Sequence, residues 1–344
     1  MILMRRRHDR RWWTTVGVVL LTLLGVVVAP TGAALATPVV AAADPEESDN
    51  GLAAKLEEAA VAYSEAQVKL KKSQKRQAEL EKQVKTADKE YLAKSAQVSQ
   101  MAAGRYKGSQ VSILSALLNA KTSSDMMQGA TIAAYVIDRD DDLLRELNDL
   151  RVNGQQRRAD LNKEILEQEK HIKALDKART KAENALAAAG GMISAGFNGN
   201  VGAAKPAPRN ADGGWSGQSC NIDDPTGTGG CITKRMHHML IEAQLANFQR
   251  FTRCWRTQSW GEHPKGRACD FSAEKSTFGG TATGDDKRYG DKLAAWAVKN
   301  AEALGIMYVI WFNQIWEYGA GWHSYNGDGS PSGDHENHVH ISMF

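Results

Sequence analysis

The chain has 344 residues, enough for two or three domains and at least one sizeable core. Its 43 Lys and Arg against 40 Asp and Glu give a formal charge of +3. However, Arg5, Arg6, Arg7, Arg10 and Arg11 precede a long apolar run, and without them and Asp9 the remainder sits at about −1. Net charge therefore gives no argument for a nucleic-acid partner, and none is expected. No second apolar stretch of spanning length follows residue 43, which excludes a multi-spanning protein, and the composition is neither collagenous nor porin-like.

The start has the form of an export signal over 1–43. The basic cluster Arg5 to Arg11 is followed by the apolar stretch Val16 to Ala29 and then by small residues, with cleavage expected after Ala36 or Ala43. An uncleaved anchor is the competing reading, although the apolar stretch before Pro30 is short for a span. On either reading the rest of the chain is expected to face outside the cytoplasm.

From residue 51 to 187 the pattern predicts a coiled-coil hairpin. Leu56, Ala59, Tyr63, Ala66, Leu70, Leu80, Val84, Ala87, Tyr91, Val98 and Met101 recur at steps of three and four, with Lys and Glu between them and no Pro from Pro45 to Pro206. A second seam runs through Leu143, Leu147, Leu150, Leu161, Ile165, Ile172, Leu175, Ala178 and Ala182 and can fold back on the first. Between them, near 104–135, Gly104 and Gly108 lead into an apolar run that suggests short amphipathic helices at a tip. A tip has little core, so Leu114, Leu117, Leu118 and Met126 are expected to form a partner-binding patch. The run "GRYKG…ILSALLNAKTSSDMMQ" resembles the membrane-distal bundle of extracellular coiled-coil proteins that regulate cell-wall cleavage at division. That resemblance implies docking on the extracellular loop of an FtsEX-type transporter.

Residues 188–214 turn rich in Ala, Gly, Asn and Pro and are expected to form a flexible linker. The domain that follows, 215–344, holds all four cysteines, Cys220, Cys231, Cys254 and Cys269. An even count in an exported protein favours disulfides. Three pairings are open, the simplest being 220–231 with 254–269, and zinc ligation by thiolates is the competing reading, although the spacings are not those of a zinc knuckle.

Two clusters in this domain concentrate metal-ligand side chains. One runs from Glu262 and His263 to Cys269 and Asp270, the other from Asp334 through His335, Glu336, Asn337 and His338 to His340. Zinc takes imidazole nitrogen and carboxylate oxygen, and a catalytic zinc keeps three protein ligands. The alternation His338-Val339-His340-Ile341 is that of a strand, which puts both imidazoles on one face.

His263-x-x-Gly266-x-Ala268-x-Asp270 followed by His338-x-His340 resembles the zinc signature of D-alanyl-D-alanine peptidases, a fold shared with lysostaphin-type enzymes and the hedgehog signalling domain. The wider context, with "HPKGRACDFS", "YVIWFNQIW" and "HENHVHIS", is similar to an actinobacterial family of exported coiled-coil proteins that end in this domain. The resemblance implies that His263, Asp270 and His340 ligate Zn2+, that His338 stabilises an oxyanion, and that the substrate is peptidoglycan. The fold class expected is α plus α+β, a long antiparallel coiled-coil hairpin followed by a small disulfide-bonded zinc-peptidase-like domain.

Two positions depart from that pattern. Gly261 stands where such peptidases usually have Ser, and Asn337 stands where the acidic general base is expected, three residues before the last ligand. An amide cannot take up a proton from water. Glu336 and Asp334 are the carboxylates that could replace it, and a regular strand would put Glu336 on the face of His338 and His340. The expectation is thus a zinc metallopeptidase acting on stem peptides in cell division. The alternative is a catalytically inactive zinc domain on a coiled-coil adaptor that binds or activates other wall hydrolases.

Overall fold

The computed structural model describes residues 51–109, 115, 118–215 and 217–344. The expected leader, 1–43, and Leu114 and Leu117 of the expected tip patch lie outside the described residues. Among those described, no helix is long and apolar enough to cross a membrane.

Helix α1 spans Leu52–Gly104, 53 residues, and α2 spans Ser123–Ala188, 66 residues. At 1.5 Å per residue α1 is about 80 Å long. Such lengths follow from runs of Ala, Leu, Lys, Glu and Gln, all good helix formers, with no Pro to interrupt them. The two helices pair antiparallel, and the contacts Lys181–Glu58, Arg158–Asp88, Lys94–Glu146 and Arg105–Asp140 mark the register from base to tip. Their seam is built largely of small residues, Ala59, Ala66 and Ala87 on α1 facing Gly154, Ala178 and Ala182 on α2. Where the apolar pattern lapses at Ser73 and Gln77, the seam is closed by hydrogen bonds to Glu164 and Gln168.

Of the tip, residues 110–114, 116 and 117 lie outside the described residues, while Ser115 and Leu118 are helical and Asn119 donates to Ser115 O at 2.9 Å. The chain leaves α1 through one π-type turn over Arg105–Ser109. The residues from Ser123 to Tyr135 are not a separate element but the first turns of α2. The reason is a capping box. The Thr122 hydroxyl accepts from the Asp125 amide, the Asp125 carboxylate accepts from the Thr122 amide, both at 3.1 Å, and nothing downstream stops the helix so started. Leu118 and Met126 are exposed, at 79% and 59%.

The C-terminal domain is α+β. A two-stranded hairpin, β1 (Ile222–Asp223) and β2 (Cys231–Ile232), precedes helix α3 (Lys234–Leu245). The main sheet comprises β3 (Thr252–Arg253), β4 (Ala268–Ser272), β5 (Ile306–Trp311), β6 (Gln314–Glu317), β7 (Gly321–Ser324) and β8 (His338–Met343). It is antiparallel throughout, in the order β3-β4-β8-β5-β6-β7. Helices α4 (Gly284–Lys299) and α5 (Ala301–Leu304) separate β4 from β5. Every residue of β4, β5 and β8 is buried.

Helix α4 covers one face of this sheet. A Cβ on Gly290 would lie 2.2 Å from the Trp311 ring, so only glycine lets α4 approach β5 so closely. Trp311 thus points towards α4, and its neighbour Ile310, which pairs with His340, points to the opposite face. The disulfides join Cys220 to Cys231 and Cys254 to Cys269.

Residues 189–214 hold no helix or regular strand but are tied to the domain. Ser194 donates to Trp322 O at 3.0 Å, Ser324 donates to Met192 O at 2.6 Å, and Ala207 donates to Ala303 O at 2.9 Å. The base of α1 is also attached. Leu52, Leu56 and Ala60, with Leu186 of α2, belong to the same buried apolar cluster as the domain core. Tyr63 meets Tyr318 edge-on at 5.7 Å, and the Tyr318 hydroxyl donates to Gln67 at 2.6 Å.

Candidate metal centre

Strands β4 and β8 align Asp270 opposite His340 and Ser272 opposite His338, so the carboxylate and both imidazoles share the sheet face turned away from α4. His263 reaches them from the loop before β4. Gly266 closes that loop at φ 66, its amide bonded to His263 O at 2.9 Å, and a Cβ there would lie 2.4 Å from Cys220 Sγ. The glycine is thus required both by its conformation and by the close approach of the first disulfide.

Three donor atoms converge. His263 Nε2 lies 3.2 Å from Asp270 Oδ1 and 3.3 Å from His340 Nδ1, and His340 Nδ1 lies 2.8 Å from Asp270 Oδ1. With metal–ligand bonds of about 2.0–2.1 Å, the donors of a tetrahedral site stand roughly 3.3 Å apart. All three residues are buried, and the group could hold a metal ion.

Each donor is fixed from behind. His263 Nδ1 bonds to Cys254 O, which turns Nε2 inward. Asp270 Oδ2 accepts from the Arg256 guanidinium at 2.7 Å, leaving Oδ1 for the group. His340 Nε2 meets Ser342 Oγ at 2.7 Å, and Tyr308 stacks on the ring at 5.5 Å. Outer partners of this kind set tautomer and ring orientation in metal sites. The disulfide Cys254–Cys269 links the backbone that holds His263 to the residue before Asp270.

Burial works to raise the Asp270 carboxyl, but His263, His338 and Arg256 around it outweigh that and hold it well below the usual carboxylate range. Burial pushes His338 down to about 3 and His335 down to about 4, so both rings are neutral at pH 7. Asp270 is thus held ionised, as a carboxylate ligand of a divalent cation must be.

The other expected site residues divide. His338 stands beside the group, its Nε2 3.5 Å from Asp270 Oδ1, and its Nδ1 lies 2.6 Å from Asn337 Oδ1. Asn337 donates through Nδ2 to Gly279 O and Ser332 Oγ, so its Oδ1 accepts and His338 carries its proton on Nδ1. Glu336 does not share the strand face. Strand β8 begins only at His338, and His335, at φ 51, turns the chain before it. The Glu336 carboxylate instead accepts from Asn313 Nδ2 and Thr281 Oγ1, each at 2.8 Å. Asp334 Oδ1 accepts the amides of Gly327 and Gly329 at 2.8 and 3.3 Å and shapes a loop.

Three contributors were not singled out by the sequence. His335 is buried with its ring centre 4.6 Å from that of His338. It lay within the Asp334 to His340 cluster, but nothing in the pattern signalled its left-handed backbone. Arg256 carries no local motif and Tyr308 entered only as the first residue of the run YVIWFNQIW, and the pairing of separate segments brings both to the group.

A family model described as VldE, C-terminal domain, matches residues 228–336, about a third of the chain. The matched stretch takes in His263 and Asp270 and stops short of His338 and His340. No curated protein and no solved structure matches the chain.

Proposed function

We propose that the protein is an exported zinc-dependent peptidase that cleaves stem peptides of peptidoglycan at the cell wall during division, its coiled coil docking on the outer loop of an FtsEX-type transporter. The observation that supports this most is the convergence of His263 Nε2, Asp270 Oδ1 and His340 Nδ1 within hydrogen-bonding distance of one another. Two imidazole nitrogens and one carboxylate oxygen suit zinc, and three protein ligands are the number found in catalytic sites. Zinc bound there supplies a Lewis acid that polarises a peptide carbonyl and makes water a better nucleophile. His263, Asp270 and His340 would hold it, and Arg256 and Cys254 O keep two of those ligands aimed. His338, its proton fixed on Nδ1 by Asn337, presents Nε2 to the reacting side, where it takes a proton or, once protonated, faces an oxyanion. The four disulfide-bonded cysteines and the leader-like start support export.

One observation favours a second reading. Asn337 stands in place of a carboxylate, and both nearby carboxylates, Glu336 and Asp334, are committed to other donors. A zinc domain that binds wall peptide without cutting it, on a coiled-coil adaptor that recruits other hydrolases, fits this as well. Incubating the protein with zinc and purified peptidoglycan and reading the products by mass spectrometry separates the two. New stem-peptide termini, absent with His263→Ala, are expected for the peptidase. Retention on peptidoglycan without new termini would leave the adaptor.

A further inference from the structure

Asp224 stands outside the metal group and outside every motif considered so far, and it is 7% exposed. It sits in the turn between β1 and β2, the hairpin stapled by Cys220–Cys231. All the carboxylate's contacts face the chain. Oδ1 accepts the Thr226 amide at 2.9 Å and the Thr226 hydroxyl at 2.7 Å. Oδ2 accepts the Thr228 hydroxyl at 2.5 Å and, across the fold, the Trp255 amide at 2.9 Å.

The same turn grips the two residues before Trp255. Thr226 Oγ1 accepts the Cys254 amide at 3.1 Å, and Thr226 O accepts from the Arg253 guanidinium. A Cβ on Gly230 would lie 2.0 Å from the Trp255 indole, so the turn lies directly against that ring. The gripped segment is the one that holds two donors of the metal group. Cys254 O receives His263 Nδ1, and Arg256 donates to Asp270 Oδ2 at 2.7 Å.

We infer that Asp224 is a positioning residue for the metal group, holding residues 254–256 so that Cys254 O and Arg256 aim His263 and Asp270. The inference rests on the metal-binding reading of that group. A short loop leaving the edge strand β3 has few ladder bonds of its own, so its path depends on what it is tied to. An ionised acceptor of backbone amides is a strong and directional tie.

The test is a zinc titration of the metal-free protein in competition with a chromophoric chelator, together with the absorption spectrum of the cobalt-substituted protein. Asp224→Ala is expected to weaken zinc by about tenfold, the low end of the cost of losing a partner that touches a ligand directly, because it acts through Cys254 and Arg256, and to shift the cobalt bands at saturation. Asp224→Asn, which keeps one acceptor oxygen, should lose less. Thr226→Val, which removes the acceptor for the Cys254 amide, should also weaken binding. Asp328→Ala, in an exposed turn with no tie to the group, should change nothing. Should circular dichroism show Asp224→Ala unfolded, Asp224→Asn and Thr226→Val decide on the same readings. Wild-type affinity and an unshifted cobalt spectrum in the folded variants overturn the inference and leave the metal site standing. A wild-type chain that takes up no zinc overturns both.

Discussion

His263, Asp270 and His340 each turn one atom inward because another atom of the same side chain is already engaged. Removing a ligand should therefore cost more than removing an outer partner. His263→Ala or Asp270→Ala is expected to abolish the uptake of one zinc per chain, measured by elemental analysis after dialysis. Undiminished zinc in both variants would refute the assignment. A second prediction concerns Glu317, fully buried on β6 with neither oxygen bonded among the described residues. Burial alone raises its carboxyl well above the usual range. A folded-state pKa above the unfolded one costs nothing below about pH 4.5 and costs progressively more as pH rises towards the folded value. Glu317→Gln should thus match the wild type near pH 4 and melt higher at pH 8, the gap widening with pH. A constant gap would show that Glu317 does not titrate differently on folding. The meeting of His263, Asp270 and His340, a group that could hold a metal ion, was implied by the resemblance of their motif. Arg256 and Asp224 were not, since their roles arise only where remote segments cross.

At the scale of the element, two helical glycines make opposite predictions. Gly154 lies in the middle of α2 on the seam, yet a Cβ there would meet nothing within 4 Å. A cavity of 170 Å³ lined by Ala87, Tyr91, Leu150 and Gly154 adjoins it. Gly154→Ala removes the entropy cost of a mid-helix glycine and should raise hairpin stability by about 0.5–1 kcal/mol, read as ellipticity at 222 nm in a thermal melt. Gly290→Ala, which drives a methyl into the buried Trp311 ring, should lower domain stability by about 1–3 kcal/mol. A gain in stability for Gly290→Ala as well would mean that helix propensity outweighs packing there, and a loss for Gly154→Ala would mean that the seam does not admit the methyl. The long helices were legible because heptad period and composition agree over many turns. The β5–β6 hairpin was not. Its two-residue turn, Phe312 and Asn313, has φ of 48 and 59 without a glycine. That turn is held instead by its amides bonding to His335 O and Asp334 O, at 2.9 and 3.1 Å. The same clasp turns the chain at His335 and keeps Glu336 off the strand face, which period-two reasoning could not foresee.

In the whole molecule, the base of the hairpin and the C-terminal domain share one core, so they should not melt separately. Leu56 is fully buried in the cluster that includes the domain's sheet and helices. Glu57, beside it, bonds to Arg267 at 2.7 Å and Lys265 at 3.3 Å, on the loop that carries His263. Lys265 is half exposed and adds little, but Arg267 also pairs with the buried Glu262, so this contact reaches the interior. No Trp occurs in 51–188, and of the nine in the chain all but Trp12 and Trp13 lie from Trp215 onward, so in a chain starting at residue 44 Trp fluorescence follows the domain while ellipticity at 222 nm is dominated by the hairpin. Leu56→Ala removes a large buried side chain and should cost about 2–5 kcal/mol. Because the substitution lies in the hairpin but its contacts lie in a shared core, the loss should appear in the Trp transition as well as in the ellipticity. Met127→Ala at the other end, where Met127 is 73% exposed, should move neither by more than about 0.5 kcal/mol. A Trp transition left in place by Leu56→Ala would mean that the domain folds independently of the hairpin, and that the contact of Glu57 with Arg267 does not couple the hairpin to the loop of His263.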